Sequence, residues 1–134
     1  MSTKISINLP VKDLRRSTDF FTKVGFSRNP QLSGEDIECL VISEDIYVML
    51  NSESRFKTIT KKDVVDTTKS AEAVLQLGVE SRHRVDDLVD KALAAGGQPS
   101  NEPNDLGFLY GRSFQDLDGH LWDVFYVDLA AMPT

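Results

Sequence analysis

Apolar and polar residues alternate from Ile5 to Leu9, with Ile5, Ile7 and Leu9 on one side and Ser6 and Asn8 on the other, which predicts a half-buried strand. Pro10-Val11-Lys12-Asp13 is turn chemistry with Asp13 as a helix N-cap. Leu14, Thr18, Phe21 and Val24 then follow helical spacing until Gly25 supplies a stop. Gln31 to Gly34 reads as a loop, Ile37 to Ser43 as a strand, Glu44-Asp45 as a turn and Ile46 to Leu50 as a further strand. The pattern then lapses into a polar connector, Ser52 to Ser70, where Thr60-Lys61-Lys62-Asp63 resembles a capping box opening a short helix. From this connector Arg55-Phe56-Lys57 could cover a cavity mouth as a lid or simply link two halves.

The order then restarts. Val74 to Val79 alternates as a strand, and Val85, Leu88, Val89 and Ala92 fall at i, i+3, i+4 and i+7 of a helix ended by Gly96-Gly97. Pro99 to Gly107 reads as loop, Phe108 to Phe114 as a strand, Asp116-Leu117-Asp118-Gly119 as a tight turn and His120 to Val127 as a last strand. Matching elements lie about 70 residues apart, the signature of an internal duplication. Two strand-helix-strands units, each with a helix on one face of its sheet, leave the other face open; joined edge to edge they would form a larger curved surface. The division is a module at about 3–51, a connector at about 52–71 and a second module at about 72–128, within a single domain of 1–134.

Alternation assigns the open face. If Ile5, Ile7, Leu9, Ile46, Val48, Leu50, Leu75, Leu77, Val79, Trp122, Val124 and Tyr126 meet the helices, the opposite side carries Ser6, Asn8, Tyr47, Met49, Asn51, Val74, Gln76, Gly78, Leu121, Asp123 and Phe125. Such a mixture of apolar and uncharged polar groups around one carboxylate suits a small-molecule pocket. Asp123, beside Leu121 and Phe125, is the candidate general base; the alternative is an ion pair with Arg112 that holds the sheet together. Tyr110 and Arg112 share a face with Phe108 and Phe114, a set suited either to a planar or anionic ligand or to core packing. His83 is expected at an exposed helix start and His120 in a turn-adjacent packing role, neither with a recognisable partner.

Composition narrows the classes. Of 134 residues 40% are hydrophobic and 27% charged, an ordinary globular balance, and 15 basic against 21 acidic residues give a net charge of −6. That sign disfavours nucleic acid and anionic membrane as partners. No stretch approaches the roughly 20 apolar residues of a membrane span, no signal-peptide h-region precedes Ile5, and the lone Cys39 cannot form an internal disulfide, so a cytoplasmic protein is expected. H-E-x-x-H, C-x-x-C, Walker A and G-x-G-x-x-G patterns are absent, and Gly111-Arg112-Ser113-Phe114-Gln115 lacks the second glycine of a nucleophile elbow.

Three stretches together resemble a known superfamily: Asn8-Leu9-Pro10-Val11-Lys12-Asp13-Leu14 with Ser17, Phe20-Phe21 and Gly25-Phe26; Asp87 through Ala92 to Gly96-Gly97; and Phe114-Gln115-Asp116-Leu117-Asp118-Gly119-His120-Leu121-Trp122-Asp123. They are similar to the vicinal oxygen chelate proteins, the glyoxalase, bleomycin-resistance and dioxygenase superfamily, over about residues 5–128, and in detail to a bacterial branch related to lactoylglutathione lyase. Leu117 stands where members commonly have Pro, a change that hardly touches the turn. The resemblance implies an α+β fold of two tandem βαβββ modules, a curved mixed sheet with helices on one face and a concave cavity on the other, usually in a homodimer. In the superfamily's enzymes four side chains, mostly His, Glu or Gln, hold one divalent metal there. Carried over by position, these fall at Ser6, Met49, Val74 and Asp123, of which only Asp123 is a good ligand. The expectation is therefore no metal site and no cofactor, with weak divalent-metal binding as the alternative. A small-molecule ligand would be held by Ser6, Asn8, Tyr47, Met49, Val74, Gln76, Tyr110, Arg112 and Phe125. Three functions remain open. One is a metal-independent sequestering homodimer. Another is a lyase or isomerase using Asp123, either metal-free or with an atypical metal site shared with Asn8 or Gln76. The third is a structural dimer whose cavity its own side chains fill.

Overall fold

A computed structural model describes residues 2–133 as two compact units, the first ending at Asp66 and the second beginning at Thr67, each with its own mixed sheet. In the first, β1 (Ile5–Val11) leads through the N-cap Asp13, which accepts from the Arg16 N–H, into α1 (Leu14–Val24). Gly25 ends this helix at φ 118°, a left-handed conformation that glycine reaches without strain, and its N–H donates to the Phe21 and Thr22 carbonyls. β2 (Ser27–Arg28), β3 (Ile37–Ser43) and β4 (Ile46–Ser52) complete the sheet in the order β1-β4-β3-β2, with β1 parallel to β4 and the other pairs antiparallel. Phe20, Phe21 and Val24 of α1 bury against Leu40, Val48 and Leu50, and the Phe20 and Phe21 rings meet edge to face at 4.9 Å.

The helix expected to open at Thr60 instead closes there. α2 spans Glu53–Thr60, with Ser52 as its N-cap, and Lys61 takes the left-handed C-cap position at φ 57°. The Thr60 hydroxyl accepts from the Lys62 N–H, so it serves a local turn and not the start of a helix. α2 lies against β1 and β4, where Arg55 Nε donates to Oδ1 of the fully buried Asn51.

The second unit repeats the plan. β5 (Val74–Gly78) precedes α3 (Arg82–Ala94), capped by Ser81 and burying Val85, Leu88, Val89 and Ala92. Two short strands absent from the sequence reading, β6 (Gln98–Pro99) and β7 (Asn104–Asp105), pair with β8 (Leu109–Gln115), which runs antiparallel to β9 (Leu121–Val127). β5 is parallel to β9. The β8–β9 turn is organised by one buried carboxylate: Asp116 Oδ1 accepts from the Asp118 and His120 N–H groups at 2.9 and 3.0 Å, and Oδ2 from the Trp122 indole at 3.1 Å. Trp122 is fully buried, with its ring stacked on Phe114. His120 is thus joined to Asp116 through its backbone and through charge, contrary to the expectation that it lacks a partner. Among the described residues no helix is long and apolar enough to cross a membrane.

Replacing Asp116 by Ala should cost about 2–4 kcal/mol, since it strands a buried indole N–H and two turn amides. Urea unfolding measures this, and a loss below about 0.5 kcal/mol would show that the turn holds without the carboxylate.

Candidate functional site

The alternation expected from sequence sorts the middle of both sheets, while Ile5 and Ile46, expected to meet the helix, pair at the first position of the β1–β4 ladder and stand exposed. In the second unit Trp122, Val124 and Phe114 are buried on the α3 side, while Gln76, Asp123, Phe125, Gly111 and Ser113 occupy the face away from α3. That face holds a pocket of about 310 Å³ lined by Gln76, Asn101, Glu102, Asn104, Leu109, Gly111, Arg112, Ser113, Asp123, Val124 and Phe125. Its far wall is the 101–104 segment, which Ser113 fastens: the hydroxyl accepts from the Asn101 N–H at 2.8 Å and lies 3.2 Å from the Asn101 carbonyl. This wall was not foreseen, because nothing in the local pattern of a polar loop announces which strand it will fold back on.

Asp123 sits half-buried in the middle of β9, directly opposite Gln76 of β5 and Ser113 of β8. Its Oδ2 accepts from Gln76 Nε2 at 3.2 Å. It makes no ion pair with Arg112, as one sequence reading had it, since the two side chains leave opposite faces of the sheet. Arg112 borders the pocket along its strand, yet Nη1 ends 2.9 Å from Oδ1 of both Asp86 and Asp90 on α3. The Tyr110 hydroxyl likewise donates to Asp86 Oδ1 at 2.6 Å. Neither of these expected cavity residues therefore turns its functional group to the open face. Aromatic and guanidinium groups here clamp β8 to α3, with the Arg82 guanidinium 4.9 Å from the Tyr110 ring centre and paired through two nitrogens with Asp105.

Phe125 lies between two residues without side chains, Gly78 on β5 and Gly111 on β8. The ring leans over Gly78, where an added Cβ would come within 3.2 Å of its Cζ. Val74, at the start of β5, is half exposed on the same face. In the first unit Ser6 and Asn8 are exposed and Tyr47 and Met49 half-buried on the face opposite α1; Asn51 Nδ2 donates to Asn8 Oδ1 at 3.1 Å. His83 is exposed at the start of α3, as its place in the sequence implies.

Two βαβββ-like units, each with a helix on one sheet face, define a class of duplicated α+β proteins; the opposite face is open in the second unit, whereas in the first α2 packs on β1 and β4 and Asn51, expected on the open side, is fully buried. The chain matches the family model of the Glyoxalase/Bleomycin resistance protein/Dioxygenase superfamily over residues 5–124, and it belongs to that superfamily. Similar solved structures include a hypothetical protein from S. aureus, 30% identical, with 94% of each chain covered and a TM-score of 0.79. A superfamily enzyme from Burkholderia phytofirmans PsJN is 17% identical, with 94% of this chain and 99% of that chain covered at a TM-score of 0.78. The fosfomycin resistance protein FosX from Listeria monocytogenes is 19% identical, with 94% and 91% covered at 0.66; at such identities the likeness is one of fold. A search of the curated proteins found no match.

The superfamily's enzymes imply a metal, and the donor set here does not fit one. Val74 carries no donor atom, Met49 offers a soft thioether, Ser6 a neutral hydroxyl, and only Asp123 an anionic oxygen. Among the described residues no three His, Cys, Asp or Glu side chains converge as a metal site would require.

The Asp86–Tyr110 hydrogen bond shifts both partners apart. Tyr110 donation, with the nearby Arg112, holds the Asp86 carboxyl below its usual value, and the same bond, with burial, pushes the Tyr110 phenol up. The Asp86 contribution to stability is present above about pH 3.9 and lost as pH falls through its lower folded value. That of Tyr110 is present below about pH 10 and lost as pH rises through its higher one. In Asp86→Asn the Tyr110 phenol should titrate closer to its ordinary value, read from its ring carbon shift by NMR. An unmoved midpoint would mean that burial alone sets it.

Proposed function

We propose that this chain is a metal-independent small-molecule-binding protein, acting as a homodimer that sequesters its ligand. The observation that carries this reading is the pocket on the helix-free face of β5, β8 and β9, whose volume and mixed amide, carboxylate and aromatic lining suit a small organic molecule. The donor set supports the metal-independent part, since Ser6, Met49 and Val74 stand where metal-holding side chains are expected. A second reading, a lyase or isomerase, draws support from Asp123: it lines the pocket, and Gln76 engages one carboxylate oxygen and leaves the other available, as a base would require.

Protein purified without chelator or affinity metal should carry no stoichiometric Mg, Mn, Fe, Ni or Zn by elemental analysis. Its melting temperature should not rise with those ions, yet should rise with hits from a fragment screen, and Phe125→Ala should remove that rise. Light scattering should give twice the chain mass. Stoichiometric metal that disappears in Asp123→Ala would overturn the metal-independent reading. Deuterium exchange into a bound hit that depends on Asp123 would move the protein to the enzyme class.

A further inference from the structure

The pocket of the second unit is lopsided in charge. Three charged residues line it: Asp123, Glu102 and Arg112. The Arg112 guanidinium is compensated twice, by Asp86 and Asp90, on the helix side of the sheet. Among the described residues neither Asp123 nor Glu102 has a basic partner. The remaining polar side chains at hand are neutral: the amides of Gln76, Asn101 and Asn104 and the hydroxyl of Ser113. A pocket walled partly by protein focuses such an unbalanced negative field on whatever enters it.

Geometry adds a second requirement. Phe125 is two residues beyond Asp123 on the same strand face, about 7 Å along the chain. Gly78 and Gly111 are its cross-strand neighbours; the ring leans over Gly78 and leaves the backbone at Gly111 bare, so a flat group can lie there beside it without meeting a side chain. Gln76 donates to one oxygen of Asp123 and leaves the other available to a ligand.

We infer that this pocket selects an organic cation, a protonated amine or amidinium carried on a flat apolar group, with Asp123 pairing the charge and Phe125 taking the flat group. The inference rests on the small-molecule reading above and narrows it to a chemical class. Charge-assisted hydrogen bonds to the carboxylate supply selectivity, and the ring adds a cation–π contribution where the charge approaches its face. Glu102 at the exposed wall contributes to the field without being a required contact.

Three probes of one shape and different charge test this: benzamidinium, benzamide and benzoate, titrated into the full chain and followed by amide NMR shifts. Benzamidinium should move the Gln76, Gly78, Gly111 and Asp123 signals, benzamide should bind about tenfold more weakly, and benzoate should leave these signals in place. Asp123→Asn keeps the side-chain shape and an oxygen for Gln76; it should weaken benzamidinium about tenfold and bring it level with benzamide. Glu102→Gln, at an exposed position, should weaken benzamidinium by less and tests the field without risk to folding. Equal binding of benzamide and benzamidinium, no effect of Asp123→Asn, or preference for benzoate would overturn the cation assignment while leaving the pocket reading standing. If none of the three probes moves signals on this face, the assignment and the pocket reading both fail.

Discussion

The register between β8 and β9 decides which side chains reach solvent on the second unit, because a slip by one residue would send Asp123 and Phe125 toward α3 and Trp122 into the pocket. Asp116 holds that register. Its carboxylate gathers two turn amides and the indole of Trp122, so the turn and the core residue that follows it are fixed by the same group. Burial pushes this carboxyl up on balance, and His120 together with the three N–H donors opposes part of that push, offsetting some of the cost of holding a carboxylate in the interior. Among the described residues the first unit shows no equivalent buried anchor at its β3–β4 turn. There the Asp45 carboxylate pairs with Lys4 and Ser2 at the surface, and its carbonyl accepts from the Ile5 N–H. Exposed pairs of that kind are weak, so register in the first unit rests chiefly on the apolar face of Val48 and Leu50 against α1.

Charge in the second unit is divided by the sheet. On the helix side, Arg112 sits between Asp86 and Asp90, Arg84 and Lys91 flank Asp87, and Arg82 binds Asp105, so each cation there has an anion within hydrogen-bond reach. These contacts join α3 to β8 and β7 and consume the basic groups nearest the pocket. The open face is left with Asp123 against neutral amides. The chain's net charge of −6 does not by itself describe this asymmetry; the pairing does, because it removes the nearest guanidinium from the side where a ligand would approach.

Much of this was legible along the chain because each sheet has one face buried against a helix. Strict alternation in Ile5 to Leu9 and Trp122 to Tyr126, a capping Asp13 and the stops at Gly25 and Gly96 are local signals with local causes. α2 escaped notice because Glu53–Thr60 has no apolar stripe: Ile59 is half exposed and Phe56 only half-buried, so no periodicity marks the helix, and its cap, Ser52, is also the end of a strand. The Phe108–Phe114 strand could not be oriented because both of its faces are chemically mixed. Its side was decided by Asp86 and Asp90, more than twenty residues away on α3. β6, β7 and the pocket wall at Asn101 likewise owe their form to pairing with β8, which no window of local sequence contains.

Period two also explains how superfamily membership and ligand chemistry can diverge. Trp122 and the helix-facing apolar set, which carry the fold together with Asp116 in the turn, occupy one parity of the strands, and the positions that would hold a metal occupy the other. A substitution of one parity leaves the packing of the other almost untouched. Val74 in place of a donor therefore costs the fold nothing: it pairs with Leu121 in register and stands half exposed at the start of β5. What it removes is the means of concentrating positive charge on that face. On that parity Asp123 is the anionic group of its strand, and within the chain the Gln76 amide answers it.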